Sequence, residues 1–257
     1  MKFRPCIDLL DGNVVQIVGG QGVQNPVTNF SSSKSSADYA RLYKSAALSG
    51  GHIISLKGNN EDAILTALQT YPDGFQVGGG IDPLNASRYL EAGASHVIVT
   101  SYIFRNGVIE FERLRKLSKT TSKKRLVLDL SCRRREGDYF IVTDRWKQFT
   151  HSRLSIELFS QLAQYCDEFL IHGVDVEGKM AGIEDDLVAL LADASPLPCT
   201  YAGGIRSLED LERINVLGQG KVDATIGSAL DIFGGELPFD EVVKWHPGQQ
   251  NNKRKGE

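Results

Sequence analysis

The feature that most constrains this chain is a repeat. Residues 76–101 read QVGGGIDPLNASRYLEAGASHVIVTS, and residues 200–228 read TYAGGIRSLEDLERINVLGQGKVDATIGS. Each copy runs from an apolar strand into Gly-Gly-Ile, then an amphipathic helical segment, then a second apolar strand ending in serine. Gly79 and Gly203 are separated by close to half of the 257 residues. CIDLLDG around Asp8 and LVLDLSC around Asp129 fall on nearly the same interval. A chain that repeats strand–turn–helix units at half its length has few folds open to it.

Candidate strands occupy 4–8, 52–56, 75–78, 96–100, 125–130, 168–172, 198–202 and 223–227. They are short and apolar with little alternation, the pattern of parallel strands buried on both faces. Between them, SSADYARLYKSAALSG has serine caps, an apolar stripe through Tyr39, Leu42, Tyr43 and Ala46, and a terminal glycine. DPLNASRYLEAG and SLEDLERINVLG each start on a capping residue and stop on glycine. Eight such units predict an α/β fold, a single (β/α)8 TIM barrel over 1–246 with half-barrels of about 1–122 and 123–246. A doubly wound open sheet is the alternative, and the half-to-half repeat favours closure. Residues 131–150 read as a long loop with a short hairpin, and 247–257 as a disordered tail.

Composition excludes several classes of partner. A hydrophobic fraction of 41% suffices for a core, and a net charge of −3 gives no ground for nucleic acid or an anionic membrane as partner. The basic runs at 133–135 and 253–255 are short. No apolar stretch approaches the roughly 20 residues a bilayer span needs, and the first residues lack a signal peptide's apolar core. Cys6, Cys132, Cys166 and Cys199 have no metal-ligand spacing. The expectation is a cytoplasmic monomer with reduced thiols and no metal.

Glycines at a strand end let backbone approach an anion, with N–H groups facing it. Gly79 and Gly80, with Thr100 and Ser101 from the next strand, form one such place; Gly203 and Gly204, with Gly227 and Ser228, form the other. A single turn needs no ligand, since glycine serves positive φ anyway. Two in register with the repeat point to a small molecule carrying two phosphates. Asp8 and Asp129, at the C-terminal ends of opposite strands, suit general acid–base chemistry, and spacing does not decide which is acid and which base. His52, inside a strand, reads as a core imidazole, whereas His172 ends the sixth strand as a candidate substrate contact.

Taken together, CIDLLDGNVVQIVGG, QVGGGI, VIVTS, LVLDLSC, DVEGKMAGI and YAGGI…ATIGSAL resemble a family of histidine-biosynthesis enzymes, the phosphoribosylformimino-aminoimidazole carboxamide ribotide isomerases. The fungal and plant branch is the most similar, over about 3 to 245. The resemblance implies a cofactor-free Amadori rearrangement of an aminoaldose to an aminoketose, with Asp8 as general base, Asp129 as general acid and a phosphate at each end of the substrate. It also implies a substrate contact at Asp175, where Val174 replaces the family's threonine. Trp146 matches a loop tryptophan that stacks on the imidazole end, and Arg133 is a candidate phosphate contact. Asp82 stands where many bacterial members have arginine, while the second copy carries Arg206. One alternative is the sister synthase's cyclase subunit, against which Gln16 stands where that enzyme has lysine. Another is a barrel that binds a bisphosphate without turning it over.

Overall fold

The computed structural model describes residues 1–18 and 27–245, so the expected tail at 247–257 lies outside the described residues. Its main sheet holds eight parallel strands: β1 (Cys6–Leu10), β2 (Gly51–Lys57), β3 (Phe75–Gly78), β4 (His96–Val99), β5 (Leu126–Asp129), β6 (Glu168–His172), β7 (Cys199–Ala202) and β8 (Val222–Thr225). They lie side by side in chain order. The sheet then closes on itself just ahead of β1. Phe3 bridges Ala224, Arg4 N donates to Ala224 O (2.8 Å), and Ala224 N donates to Lys2 O (3.0 Å). The closed barrel, not the open sheet, is the architecture.

Among the described residues, eight α-helices follow the strands: α1 (Ser36–Ser45), α2 (Glu61–Thr70), α3 (Ala86–Glu91), α4 (Phe111–Thr121), α5 (Ile156–Leu162), α6 (Asp185–Ala194), α7 (Leu208–Leu217) and α8 (Phe239–Lys244). Local chemistry sets their ends. Ser35 and Asp38 form a reciprocal capping box at the start of α1, which buries Tyr39, Ala40 and Tyr43. Ser207 caps α7 by accepting from Asp210 N, and Gly218 ends it. α3 has no side-chain cap of its own; Asp82 instead takes the N–H groups of Leu84 and Asn85, tightening the turn ahead of it.

Two additions go beyond the sequence reading. After β1 the chain doubles back as antiparallel strands Asn13–Val18 and Val27–Ser31. The turn is Asp11-Gly12, both at positive φ (47° and 82°), the pair that two-residue hairpins demand. After β5, the expected short hairpin is a three-stranded antiparallel sheet of Cys132–Arg135, Asp138–Thr143 and Gln148–Arg153. The Arg135 guanidinium lies 4.2 Å from the Phe140 ring centroid and 4.8 Å from that of Phe149, tying those strands together.

The core lies between barrel and helices, where Tyr39, Tyr43, Phe75, Phe159 and Phe169 are buried. A smaller cluster of Ile98, Val127, Leu170 and Ala202 packs separately. At the opposite end from the mouth an ionic plug joins four strands' worth of chain: Arg4 reaches Asp223 (2.7 Å) and Glu168 (3.1 Å), and Gln76 Nε2 donates to Glu168 (2.8 Å). No helix among the described residues is long and apolar enough to cross a membrane.

Removing one partner of a largely buried ion pair leaves an unpaired charge, at a cost of about 3 kcal/mol or more. Arg4→Met, which strands both Glu168 and Asp223, is therefore expected to lower unfolding free energy by about that much in urea titration. A loss below about 1 kcal/mol would mean that water substitutes for the guanidinium.

Candidate active site

Strand ends deliver the ionisable groups to the mouth. Asp8 lies within β1, in register with Val15 of the hairpin on one side and Ile54 of β2 on the other. Asp129 ends β5 and His172 ends β6. Two cavities meet there, one of about 560 Å³ and one of about 40 Å³. Asp8, His172 and Glu177 line both. The larger also exposes Asp129, Gly79, Gly80, Thr100 and Ser101; the smaller exposes Gly203, Gly204, Gly227 and Ser228. The two glycine turns thus open on different ends of one composite site.

Packing alone already demands glycine at these turns. Gly79 has φ +97°, and a Cβ there would sit 2.0 Å from the carbonyl oxygen of Ser55. Gly204 has φ +72°, and its Cβ would sit 2.1 Å from the Gly182 carbonyl oxygen. What favours an anion is the company these turns keep. Thr225 Oγ1, on a residue lining the small cavity, is buried with no hydrogen-bond partner among the described residues and has a proton to donate, a state native proteins seldom leave uncompensated. Ser228 Oγ accepts from Asn29 Nδ2 (3.3 Å), which draws the Val27–Ser31 strand over this end.

The two aspartates, equivalent in the repeat, occupy opposite electrostatic settings. Burial, reinforced by the Glu177 charge and only partly offset by His172, pushes the Asp8 carboxyl up to about 7. Asp129 is also buried, which by itself would raise it, but His172 and hydrogen bonds hold it below its ordinary value. His172 Nδ1 lies 3.3 Å from Asp129 Oδ1, Ser131 Oγ donates to Oδ1 (3.0 Å), and Thr100 Oγ1 donates to Oδ2 (3.3 Å). Burial works against the imidazolium of His172, yet Asp129, then Glu177 and Asp8, raise it to about 9. His52 stacks edge-on to it with centroids 6.2 Å apart, and burial pulls His52 down to about 3, so it is neutral. Burial also raises the Glu177 carboxyl.

Other residues singled out in the sequence lie elsewhere. Asp175 and Arg133 line neither cavity; Arg133 Nε donates to Asp175 Oδ1 (2.9 Å), and Arg134 N donates to Oδ2 (3.0 Å). Asp175 sits within a one-turn helix at Val174–Val176 that Glu177 ends, and Glu177 is the carboxylate that faces the site. Arg206 lines neither cavity and lies 3.5 Å from Asp210. Trp146 does line the large cavity, beside Asp144 and Arg145, and all three have positive φ (67°, 51° and 54°). Glu177, Arg145 and Thr225 are among the site-lining residues the sequence reading passed over. Among the described residues, the His/Asp/Glu group with ligand-like spacing is His96, Asp167 and Glu168. It sits at the far end of the barrel, where Glu168 is held by Arg4 and Gln76.

The model of a family described as "Histidine biosynthesis protein" matches residues 2–238. A chloroplastic 1-(5-phosphoribosyl)-5-((5-phosphoribosylamino)methylideneamino)imidazole-4-carboxamide isomerase of Medicago truncatula is 53% identical over 97% of this chain and 83% of its own length. Proteins of the same enzyme name are similar in Neurospora crassa, at 46% identity over 96% of this chain and 99% of their own length, and in Saccharomyces cerevisiae, at 43% over the same shares.

Two outcomes test the geometry. Glu177→Gln removes the like charge facing Asp8, so the Asp8 carboxyl is expected to fall from about 7 toward its ordinary value in a carbon-13 NMR titration. An unchanged value would leave burial as the whole cause. Gly220, with φ +69° and no atom nearer its Cβ than 3.8 Å, serves as control for the turns. Gly220→Ala should cost about 1–2 kcal/mol of backbone strain alone, whereas Gly79→Ala must also displace the Ser55 carbonyl and should lose markedly more in the same unfolding measurement.

Proposed function

The chain belongs to the histidine biosynthesis protein family, and from that premise we propose that Asp8 and the Asp129 side of the mouth carry out, by general acid–base catalysis without a cofactor, the isomerisation its relatives are named for. The protein is an isomerase of histidine biosynthesis. Its substrate, as the relatives' name has it, bears two phosphoribosyl groups, one on the imidazole and one on the far amine. The observation that carries the reading is the pair of unequal cavities that share Asp8, His172 and Glu177, each ending in its own glycine turn.

The inequality orients the ligand. The imidazole carboxamide ribotide is the bulkier end and fits the 560 Å³ cavity under Trp146, with its phosphate at Gly79, Gly80 and Ser101. The other ribose phosphate enters the narrow cavity toward Gly203, Gly204 and Ser228. That puts the reacting ribose where the cavities join, among Asp8, His172 and Glu177. Anchoring both ends converts a floppy chain into one fixed approach geometry.

The chemistry follows from proton bookkeeping. A proton delivered to the ring oxygen lets the C1–O bond break, its electron pair leaving on oxygen while the amine lone pair forms C1=N. Asp8 removes the C2 proton, giving an enolamine. The same proton returns from Asp8 to C1 as the C2 hydroxyl gives up its own and becomes a ketone. A base with a pKa near the working pH is well placed to take and give back one proton, and Asp8 at about 7 meets that condition. The acid side is built on Asp129 with the protonated His172 beside it.

Asp8→Asn and Asp129→Asn are each expected to lower kcat by roughly 10²–10⁴-fold, with binding of a bisphosphate substrate analogue retained. The aminoaldose-to-aminoketose conversion, followed by chromatography with a chelator present, provides the test. A folded wild-type protein that binds but does not convert would move the non-catalytic barrel to the front. kcat/KM should rise as pH passes upward through about 7, because Asp8 must lose its proton to act. A flat profile from pH 5 to 8 would remove Asp8 as the base.

A further inference from the structure

We propose that the proton given to the ring oxygen comes from Nε2 of His172, with Asp129 as the carboxylate that holds this imidazole charged and aimed. The inference rests on the isomerase reading and changes who donates within it. Geometry is the first ground. His172 stands where the two cavities join, with its Nδ1 engaged by Asp129 Oδ1 at 3.3 Å. Its Nε2 has no hydrogen-bond partner among the described residues and is not among the buried unpaired atoms, so it faces the shared space.

The second ground is the set of groups around the ring. Asp129 from β5, Asp8 from β1 and Glu177 from the loop after β6 are carboxyls that face it, while His52 from β2 is neutral. Three acidic neighbours make this a place in the mouth where a proton rests. Asp129, by contrast, accepts hydrogen bonds from Ser131 and Thr100 as well as facing His172. A carboxylate accepting from three sides is fixed in its ionised form and has no proton to give. An aspartate holding one imidazole nitrogen while the other nitrogen handles a proton is a familiar division of labour in acid–base sites.

The step balances. The Nε2–H bond of the imidazolium breaks and the hydrogen joins the ring oxygen as C1–O opens. His172 is then neutral. When the enolamine becomes the ketone, the C2 hydroxyl proton returns to Nε2 and restores the imidazolium. Asp8 carries the C2 hydrogen to C1, so the enzyme ends each cycle in the protonation state in which it began.

His172→Asn keeps an amide donor for Asp129 and removes the transferable proton. Its kcat is expected to fall by about 10²-fold or more, with KM within about threefold of wild type. The alkaline limb near pH 9, where the wild type loses the imidazolium proton, should vanish. A variant with kcat within threefold of wild type and the limb intact would overturn the proposal and return the donor role to Asp129. Wild type is assayed alongside: its failure to convert the aminoaldose would sink the isomerase reading instead. A nitrogen-15 NMR titration of the wild-type imidazoles decides the matter independently of any variant's folding. His172 should stay protonated to about pH 9; titration at or below the ordinary value of about 6.5 would rule the donor out.

Discussion

The structure depends on one pairing, between the chain's first residues and its last strand. An open sheet of eight parallel strands would leave two edges of unpaired backbone; Phe3 and Arg4, bound to Ala224, remove both at once. Closure is also what makes the mouth a site. It brings β8 alongside β1, so that Cys6 Sγ meets the Ile226 carbonyl (3.4 Å) and Gly227 abuts the Gln16 side chain of the first hairpin. The second glycine turn and Asp8, nearly the whole chain apart in sequence, thereby border one small cavity. The Arg4 plug at the other end fixes the same seam from beneath, joining the start of the chain to Glu168 and Asp223.

A doubled barrel offers two equal aspartates, and acid–base chemistry needs them unequal. Residues of the sixth strand and the loop behind it break the tie. His172 is close enough to Asp129 for an ion pair and raises no comparable claim on Asp8, which instead faces Glu177. One carboxylate is thus held charged while the other is made reluctant to ionise. The pKa separation is therefore not a property of either aspartate's local sequence. It comes from which neighbour the closed barrel sets opposite each one, and that neighbour belongs to a strand outside the obvious repeat.

What was legible in the sequence was whatever the backbone alone enforces. β3 and β6 fell on the expected residues because a strand buried on both faces leaves a short apolar run with few ways to shift. The Gly-Gly turns were legible because no other residue fits φ near +97° or +122° against a neighbouring carbonyl. The Asp11-Gly12 hairpin is equally written in its turn residues, both at positive φ ahead of the β-branched run NVVQIV. Asp175 could not be told from Glu177 by pattern. Two carboxylates two positions apart would share a face in a strand, but the single helical turn between β6 and its loop rotates one outward and the other inward. Side-chain direction in an irregular loop has no period to read.

That outward rotation gives Asp175 its own structural consequence. The turn at 144–146 puts three consecutive non-glycine residues at positive φ, each at a cost of order 1 kcal/mol or more, and such a segment persists only where its surroundings over-determine it. The surroundings are the strands that carry it. Arg133 and the Arg134 backbone are fastened to Asp175, Arg134 Nη1 reaches Asp186 of α6 (2.9 Å), and Arg135 is clamped against Phe140 and Phe149. These contacts hold the three-stranded sheet over the mouth, and its strained tip presents Arg145 and Trp146 to the large cavity. Asp175 contributes to the site by anchoring the roof, at a distance from the space it encloses. The arginine run at 133–135 is the other half of that anchor.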